Sequence, residues 1–339
     1  MSADQTAGQH GPHGGRAATE SAGGGAGQVG PGSPGVGPTP VAPPAGQHDR
    51  RGSGRITFTG WMMAPGVALL GLLSLIPLVM LIMMSFSRVR LLGGLQLEFV
   101  GLENWARAFG DVELWKSWGL TLGYFAATLG LELMLGIAIA VVLNRLTRGR
   151  GLLLPLILLP MFVAPSIVGL LGRYLLDPTF GLYAQALQGL GVEQDVLGNP
   201  VSAFVAVTLM DVWEWTPLIA LITLAGLSGV NPSVLEAASI DGADEWKKFW
   251  NIVLPSIKPI LLVAILIRSM DAVRYFDIIS VTTNGGPADA TKIVPVRLYE
   301  AAFRFFDLGY AAVIGIMMLV LTIMIARLFV GLLSEKETH

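Results

Sequence analysis

Two apolar stretches of this 339-residue chain carry polar side chains of the kind that bind solutes or lock helices together. One reads Asp211-Val212-Trp213-Glu214-Trp215-Thr216-Pro217; the other holds Arg268, Asp271, Arg274, Tyr275 and Asp277. Trp213 or Trp215, with Glu214, Asp271, Arg274 and Tyr275, supplies planar donors and acceptors for hydroxyl groups and an aromatic face for a ring, the set a sugar needs. The same residues also suit ion pairs between two apolar helices, and both readings stand at this point. At about 100° per residue, Asp271, Arg274, Tyr275 and Ile278 fall on one helical face, while Arg268 and Asp277 point elsewhere. The first three are therefore expected at a cavity, and Arg268 and Asp277 at helix–helix contacts. A third use of Asp211, Glu214, Asp271 and Asp277 is as proton or sodium sites of an ion-coupled carrier, although no internal repeat accompanies them.

The surrounding chain sets where these groups sit. It is 53% hydrophobic and 14% charged, against about 25% charged in soluble domains, and its mean hydropathy is +0.63. A net charge of −2 gives no reason to expect a nucleic-acid partner, and the absence of cysteine excludes disulfides and thiolate chemistry. Six segments reach the roughly 20 apolar residues of a bilayer crossing, near 60–86, 117–143, 152–173, 201–228, 258–281 and 308–331. Trp213 then lies about 18 Å from Val201, and Asp271 about 20 Å from Lys258, both well inside the bilayer. Pro155, Pro160 and Pro165 should kink the third span, either to line a path or simply for packing. No secretory signal is expected, because the first apolar segment begins near Trp61 and is too long for the apolar core of a leader. Residues 1–55, rich in Gly, Pro and Ala, are expected to form a disordered tail, and 56–335 the membrane domain.

Between spans four and five, residues 229–259 form a polar loop. Asn231-Pro232-Ser233 signals a helix start, Gly242 can end that helix after Asp241, and a second short amphipathic helix from Asp244 carries Trp246, Phe249, Trp250 and Ile252 and is closed by Pro255. Two short helices meeting at a glycine make a knob for a partner's pocket. Arg50, Arg51 and Arg55, then Arg145, Arg148 and Arg150, then Lys247, Lys248 and Lys258, and lastly Lys336 fall on one side of the six spans. The positive-inside rule makes that side cytoplasmic, with both termini on it. On the other side Arg88, Arg90 and Arg107 are balanced by Glu98, Glu103, Asp111 and Glu113.

Glu236-Ala237-Ala238, three residues, Gly242, nine residues, Ile252, one residue and Leu254-Pro255 resemble the EAA loop of binding-protein-dependent ABC importer permeases. Phe99-Val100-Gly101-Leu102-Glu103-Asn104-Trp105 is similar to a segment preceding span two in their carbohydrate branch, although alone it also reads as a surface turn with one buried tryptophan. Thr282-Thr283-Asn284-Gly285-Gly286-Pro287, Thr291, Tyr299, Ala301-Ala302-Phe303 and Gly309-Tyr310-Ala311-Ala312 resemble the same branch, with Asn284 in place of a small residue. The resemblance implies an all-α membrane permease in the plasma (inner) membrane whose loop couples to a cytoplasmic ATPase. It also implies a second permease subunit, an ATPase dimer, an extracytoplasmic solute-binding protein and a carbohydrate substrate. The chain has no phosphate loop of the G-x-x-x-x-G-K-[ST] type. ATP and Mg²⁺ would belong to the partner, with no cofactor, metal or catalytic residue on this chain. A permease of the same superfamily for peptides, amino acids or phosphate is the nearest alternative.

Overall fold

The computed structural model describes residues 58–334 except 92, 93, 95, 147 and 192–194. The expected tail 1–55 and the residues from 335 on, Lys336 included, lie outside the described residues. The order is α1 (Phe58–Ser85), a hairpin of β1 (Ser87–Arg90) and β2 (Gln96–Phe99), α2 (Glu103–Gly110), α3 (Val112–Arg145), α4 (Arg150–Leu158), α5 (Pro165–Leu175), α6 (Leu182–Gly189) and α7 (Pro200–Ser228). Then come α8 (Pro232–Ile240), α9 (Glu245–Lys248), α10 (Leu254–Ala272), α11 (Asp277–Thr282), α12 (Val294–Tyr299) and α13 (Leu308–Ser334). The helical membrane fold is as expected, and the hairpin, antiparallel with Arg88 opposite Glu98, is its one addition among the described residues.

Five runs are long and apolar enough to cross a membrane: Met62–Ser85, Val112–Arg145, Pro200–Ser228, Glu245–Thr282 and Leu308–Leu332. The third expected span is not one kinked helix. Arg150–Phe162 and Pro165–Leu175 meet at 90°, because Val163 and Ala164 are extended. Proline at 165 disfavours helix at the residue before it and suits the first turn of α5. The run through span five is also interrupted, at Val273–Phe276, with no proline or glycine there. Packing holds that break: Thr282 Oγ1 donates to the Gly169 carbonyl at 3.0 Å, and a Cβ at Gly169 would stand 2.9 Å from the Ile278 carbonyl.

Local signals start the helices. Asn199 caps α7 by accepting from Val201 and Ser202 N–H at 3.0 and 3.4 Å, with Pro200 in the first turn. Asp111 does the same for α3 through Glu113 and Leu114 N–H at 2.9 and 3.2 Å. Three apolar clusters then follow the bundle from the hairpin end to the loop end. Leu114, Trp118, Tyr310 and Ile314 form the first, Tyr124, Val207, Tyr275 and Ile278 the second, and Ala140, Leu143, Leu224 and Ile257 the third. α1 stands apart, exposed along nearly its whole length.

Candidate functional site

Between the second and third clusters, α3, α7 and α10 each bring a charge to one point. Arg268 donates from Nε and Nη2 to the two oxygens of Glu132, both at 2.8 Å. Nη2 also donates to Asp211 at 2.6 Å, and Nη1 to Asp271 at 3.0 Å. The Arg268, Glu132 and Asp211 side chains have no exposed surface, whereas Asp271 is 43% exposed. A planar guanidinium fork matched to a carboxylate is the geometry that survives burial, because every N–H so used has a charged acceptor. Above the fork sit Trp215 and Tyr275, with Arg268 Cζ 5.3 and 5.5 Å from their ring centroids. Tyr275 donates to Glu214 at 2.6 Å and stacks on Tyr124 at 6.3 Å.

This arrangement revises the helical-wheel division. Arg268 is the helix–helix tie expected of it, but Asp271 and Tyr275 belong to the same cluster: they follow Arg268 by three and seven residues, and at about 100° per residue that spacing returns within about 60° and about 20° of its direction, so Arg268 shares their face rather than pointing elsewhere. Arg274 is exposed, its Nε donating to the Met270 carbonyl at 2.9 Å. Asp277 is also exposed and opens α11 rather than tying helices. Trp215 faces Arg268; Trp213 instead lines an apolar cavity of about 550 Å³ among α5, α6 and α7, with Leu171, Leu175, Tyr183 and Leu209.

At the loop end, Asn231 caps α8 by accepting from Ser233 N–H at 3.0 Å. α8 ends in paired bonds, Ala243 N–H to the Ala238 carbonyl at 2.9 Å and Gly242 N–H to Ser239 at 3.1 Å. That closure needs a left-handed residue after Asp241, and Gly242 supplies it with φ +78°. Asp244 caps α9 through Lys247 N–H at 2.7 Å. Pro255 does not close the second helix: α9 runs through a π-turn at Phe249–Val253, containing Ile252, straight into α10, where Leu254 and Pro255 form the first turn. Ile240 (87% exposed), Trp246 (70%), Trp250 and Val234 project outward. Behind them a cleft of about 270 Å³ is lined by Glu236, Ser239, Glu245, Lys248, Asn144 and Arg145. Arg145 pairs with Glu245 at 3.1 Å, joining the end of α3 to α9. Glu236, Ala237 and Asp241 are exposed, and Ala238 is half-buried.

The hairpin end is pinned rather than open. Asn104 Nδ2 donates to the Ser85 and Ser87 carbonyls at 3.1 and 3.0 Å, and Gly309 lets it approach, since a Cβ there would lie 2.4 Å from the Ser87 carbonyl. Thr291 Oγ1 donates to Gly286 at 2.7 Å and meets Thr283 Oγ1 at 2.7 Å, closing the loop in which Asn284 and Gly285 take positive φ.

A family described as the binding-protein-dependent transport system inner membrane component matches residues 132–338. The chain belongs to that family. It is 38% identical over 236 residues to a trehalose/maltose transport system permease protein of Thermococcus litoralis, spanning 69% of this chain and 80% of that one. It is 30% identical over 277 residues to a sulfoquinovosyl glycerol transport system permease protein of Agrobacterium fabrum, spanning 81% and 90%. A crystal structure of a bacterial ABC transporter involved in the import of the acidic polysaccharide alginate shares the fold, with a TM-score of 0.72 over 83% of this chain and 96% of that one at 20% identity.

In this inner membrane component the matched segment opens on Glu132, a residue that sequence reasoning passed over. Glu132 is the sole charged side chain in the expected span 117–143, so its cost in lipid was a readable signal. What the chain did not announce was its partner, 136 positions away.

Proposed function

We propose that this multi-pass inner membrane component is a permease subunit of an ATP-driven importer for a sugar or sugar derivative. Relatives at 30–38% identity named for trehalose/maltose and sulfoquinovosyl glycerol support the solute class. The observation that carries the mechanism is the exposed knob of α8 and α9, continuous with the helix that bears Arg268. The loop end faces the cytoplasm, where Arg145, Arg148, Arg150, Lys247, Lys248 and Lys258 gather, and both termini share that side. A cytoplasmic ATPase dimer holding ATP and Mg²⁺ takes the knob, with Glu236, Ala237, Ala238, Asp241, Gly242, Ile252, Leu254 and Pro255 forming or shaping the contact. Because α9 passes into α10 without a joint, force on Trp246 moves α10, and Arg268 carries α3 and α7 with it. A second permease subunit completes the pathway, and an extracytoplasmic binding protein delivers solute to the hairpin end. Trp213, Glu214, Trp215, Asp271, Arg274 and Tyr275 are the proposed pathway residues. Exposed charge at Asp271 and Arg274 would be costly against lipid, so a water-filled face suits them, and an unwound helix is tolerated at such a face. This chain brings no cofactor, metal or catalytic group of its own.

Co-purification from membranes tests this. The wild type should bring down an ATPase and a second permease, and Glu236→Ala and Gly242→Pro should lose the ATPase while keeping the permease. An ATPase retained by both variants, with transport intact, would overturn the coupling role of the loop.

A further inference from the structure

We propose that the face around Asp271 excludes anions, so that the solute passing it is uncharged and rich in hydroxyl donors; this rests on the reading of that face as part of the pathway. Relatives named for trehalose/maltose and for sn-glycerol-3-phosphate occur in the same family, which leaves the solute's charge open. Arg268 is the natural anion receptor at this depth, but it is already occupied: Nε, Nη1 and Nη2 all donate to carboxylates. Around it stand Glu132, Asp211 and Asp271, then Glu214 through Tyr275, and Asp277 beyond the break. Against these five carboxylates, the described stretches that carry them, 132 of α3, 211–214 of α7 and 268–277, set Arg268 and Arg274. A phosphate or sulfonate entering here meets unbalanced negative charge, whose field the low-dielectric walls focus into the water-filled face. A neutral polyol meets acceptors instead, chiefly the exposed half of Asp271.

Collisional quenching of Trp215, which lies over Arg268, tests the filter without knowledge of the solute. The full chain, purified in nanodiscs with its co-purifying partners, is titrated with acrylamide, caesium chloride and potassium iodide at constant ionic strength. The Trp215 contribution is the difference between the protein and its Trp215→Phe variant. Relative to free tryptophan, acrylamide and caesium should reach Trp215, and iodide should quench it about tenfold less. Asp271→Asn, which can still accept from Arg268, should raise iodide quenching about threefold and leave acrylamide unchanged. Iodide that quenches as well as acrylamide, or that ignores Asp271→Asn, would overturn the filter while leaving the face wet. Failure of all three probes to reach Trp215 would remove the water-filled face, and the filter with it.

Discussion

The Arg268 cluster and the Gly229–Pro259 loop are two polar interruptions of an apolar chain, and they end in opposite states. In the cluster, side chains from three helices close on one another until the Arg268, Glu132 and Asp211 side chains are wholly enclosed. In the loop, Asn231 and Asp244 cap their own helices, Glu245 makes exposed pairs with Lys248 and with Arg145 of α3, and the apolar residues Ile240 and Trp246 are left outside. The difference lies in what surrounds each. Where water is absent a charge must find its partner within the chain, whereas a loop in water can leave apolar surface for another protein to cover. The cluster is thus a finished structure and the loop an unfinished one.

The largest way to break this comparison is to remove the guanidinium. Arg268→Met leaves three carboxylates without their counter-ion, and removing one partner of a buried pair costs about 3–5 kcal/mol. Folded yield and melting temperature in detergent should fall sharply, with Glu132→Gln milder because one oxygen still accepts. An Arg268→Met protein that melts like the wild type would mean that the cluster is not what ties α3, α7 and α10. The matching change in the loop, Trp246→Ala with Ile240→Ala, should behave the other way. Melting should shift within about 0.5 kcal/mol, as for surface substitutions. Affinity for the co-purifying ATPase should drop by about 2 kcal/mol or more, read by titrating one detergent-purified component against the other.

Two glycines sharpen the contrast at smaller cost. Gly169→Ala has an ordinary φ but no room, with Ile278 O 2.9 Å from the new Cβ, so overpacking should cost about 1–3 kcal/mol globally. Gly242→Ala has ample room, nothing lying within 4 Å, but a φ of +78°. Its cost, about 1 kcal/mol of backbone strain, should appear as faster amide exchange in α8 alone. Exchange that rises throughout the bundle in Gly242→Ala would show that the loop is not energetically separate.

The same contrast governs what could be read in advance. The loop was legible in detail because caps and a glycine stop are local: Asn231, Gly242 and Asp244 do what their types and spacing imply. Its misread feature, closure at Pro255, failed because proline is as much at home in a first helical turn as after a last one. The cluster was legible as a set of misplaced charges but not as a geometry. The wheel set Arg268 apart although its three- and seven-residue spacing puts it beside Asp271 and Tyr275, and beyond Ala272 it assumed an unbroken helix, whereas packing of α11 on α5 holds a break at Val273 that no residue type there announces. Pro160 and Pro165 likewise signalled a bend but not its 90°, since that angle depends on what the two halves pack against. Glu132 shows the general limit, in that a lone charge declares that a partner exists without declaring which.

The smallest effect belongs to the hairpin end, which is intermediate between the two regions. Asp111 caps α3 and also accepts the hydroxyl of Tyr310, while Arg107 covers the Tyr310 ring at 4.3 Å and pairs with Asp307 at 2.6 Å. Burial alone would raise the Asp111 carboxyl, but the Tyr310 hydroxyl and the N–H groups of Leu114 and Glu113 outweigh it and hold it below the ordinary carboxylate range. A carboxyl lowered on folding stabilises the folded chain above its unfolded value, and the stabilisation is lost as pH falls through the folded value. Tyr310→Phe removes one donor, so it should melt slightly below the wild type near pH 7. The gap should close as pH falls through the carboxylate range, because a protonated Asp111 draws little from that donor in either protein. A gap that persists unchanged to low pH would assign the loss to packing at Tyr310. The hairpin end would then resemble the enclosed cluster in being sealed, but by apolar contact rather than by charge.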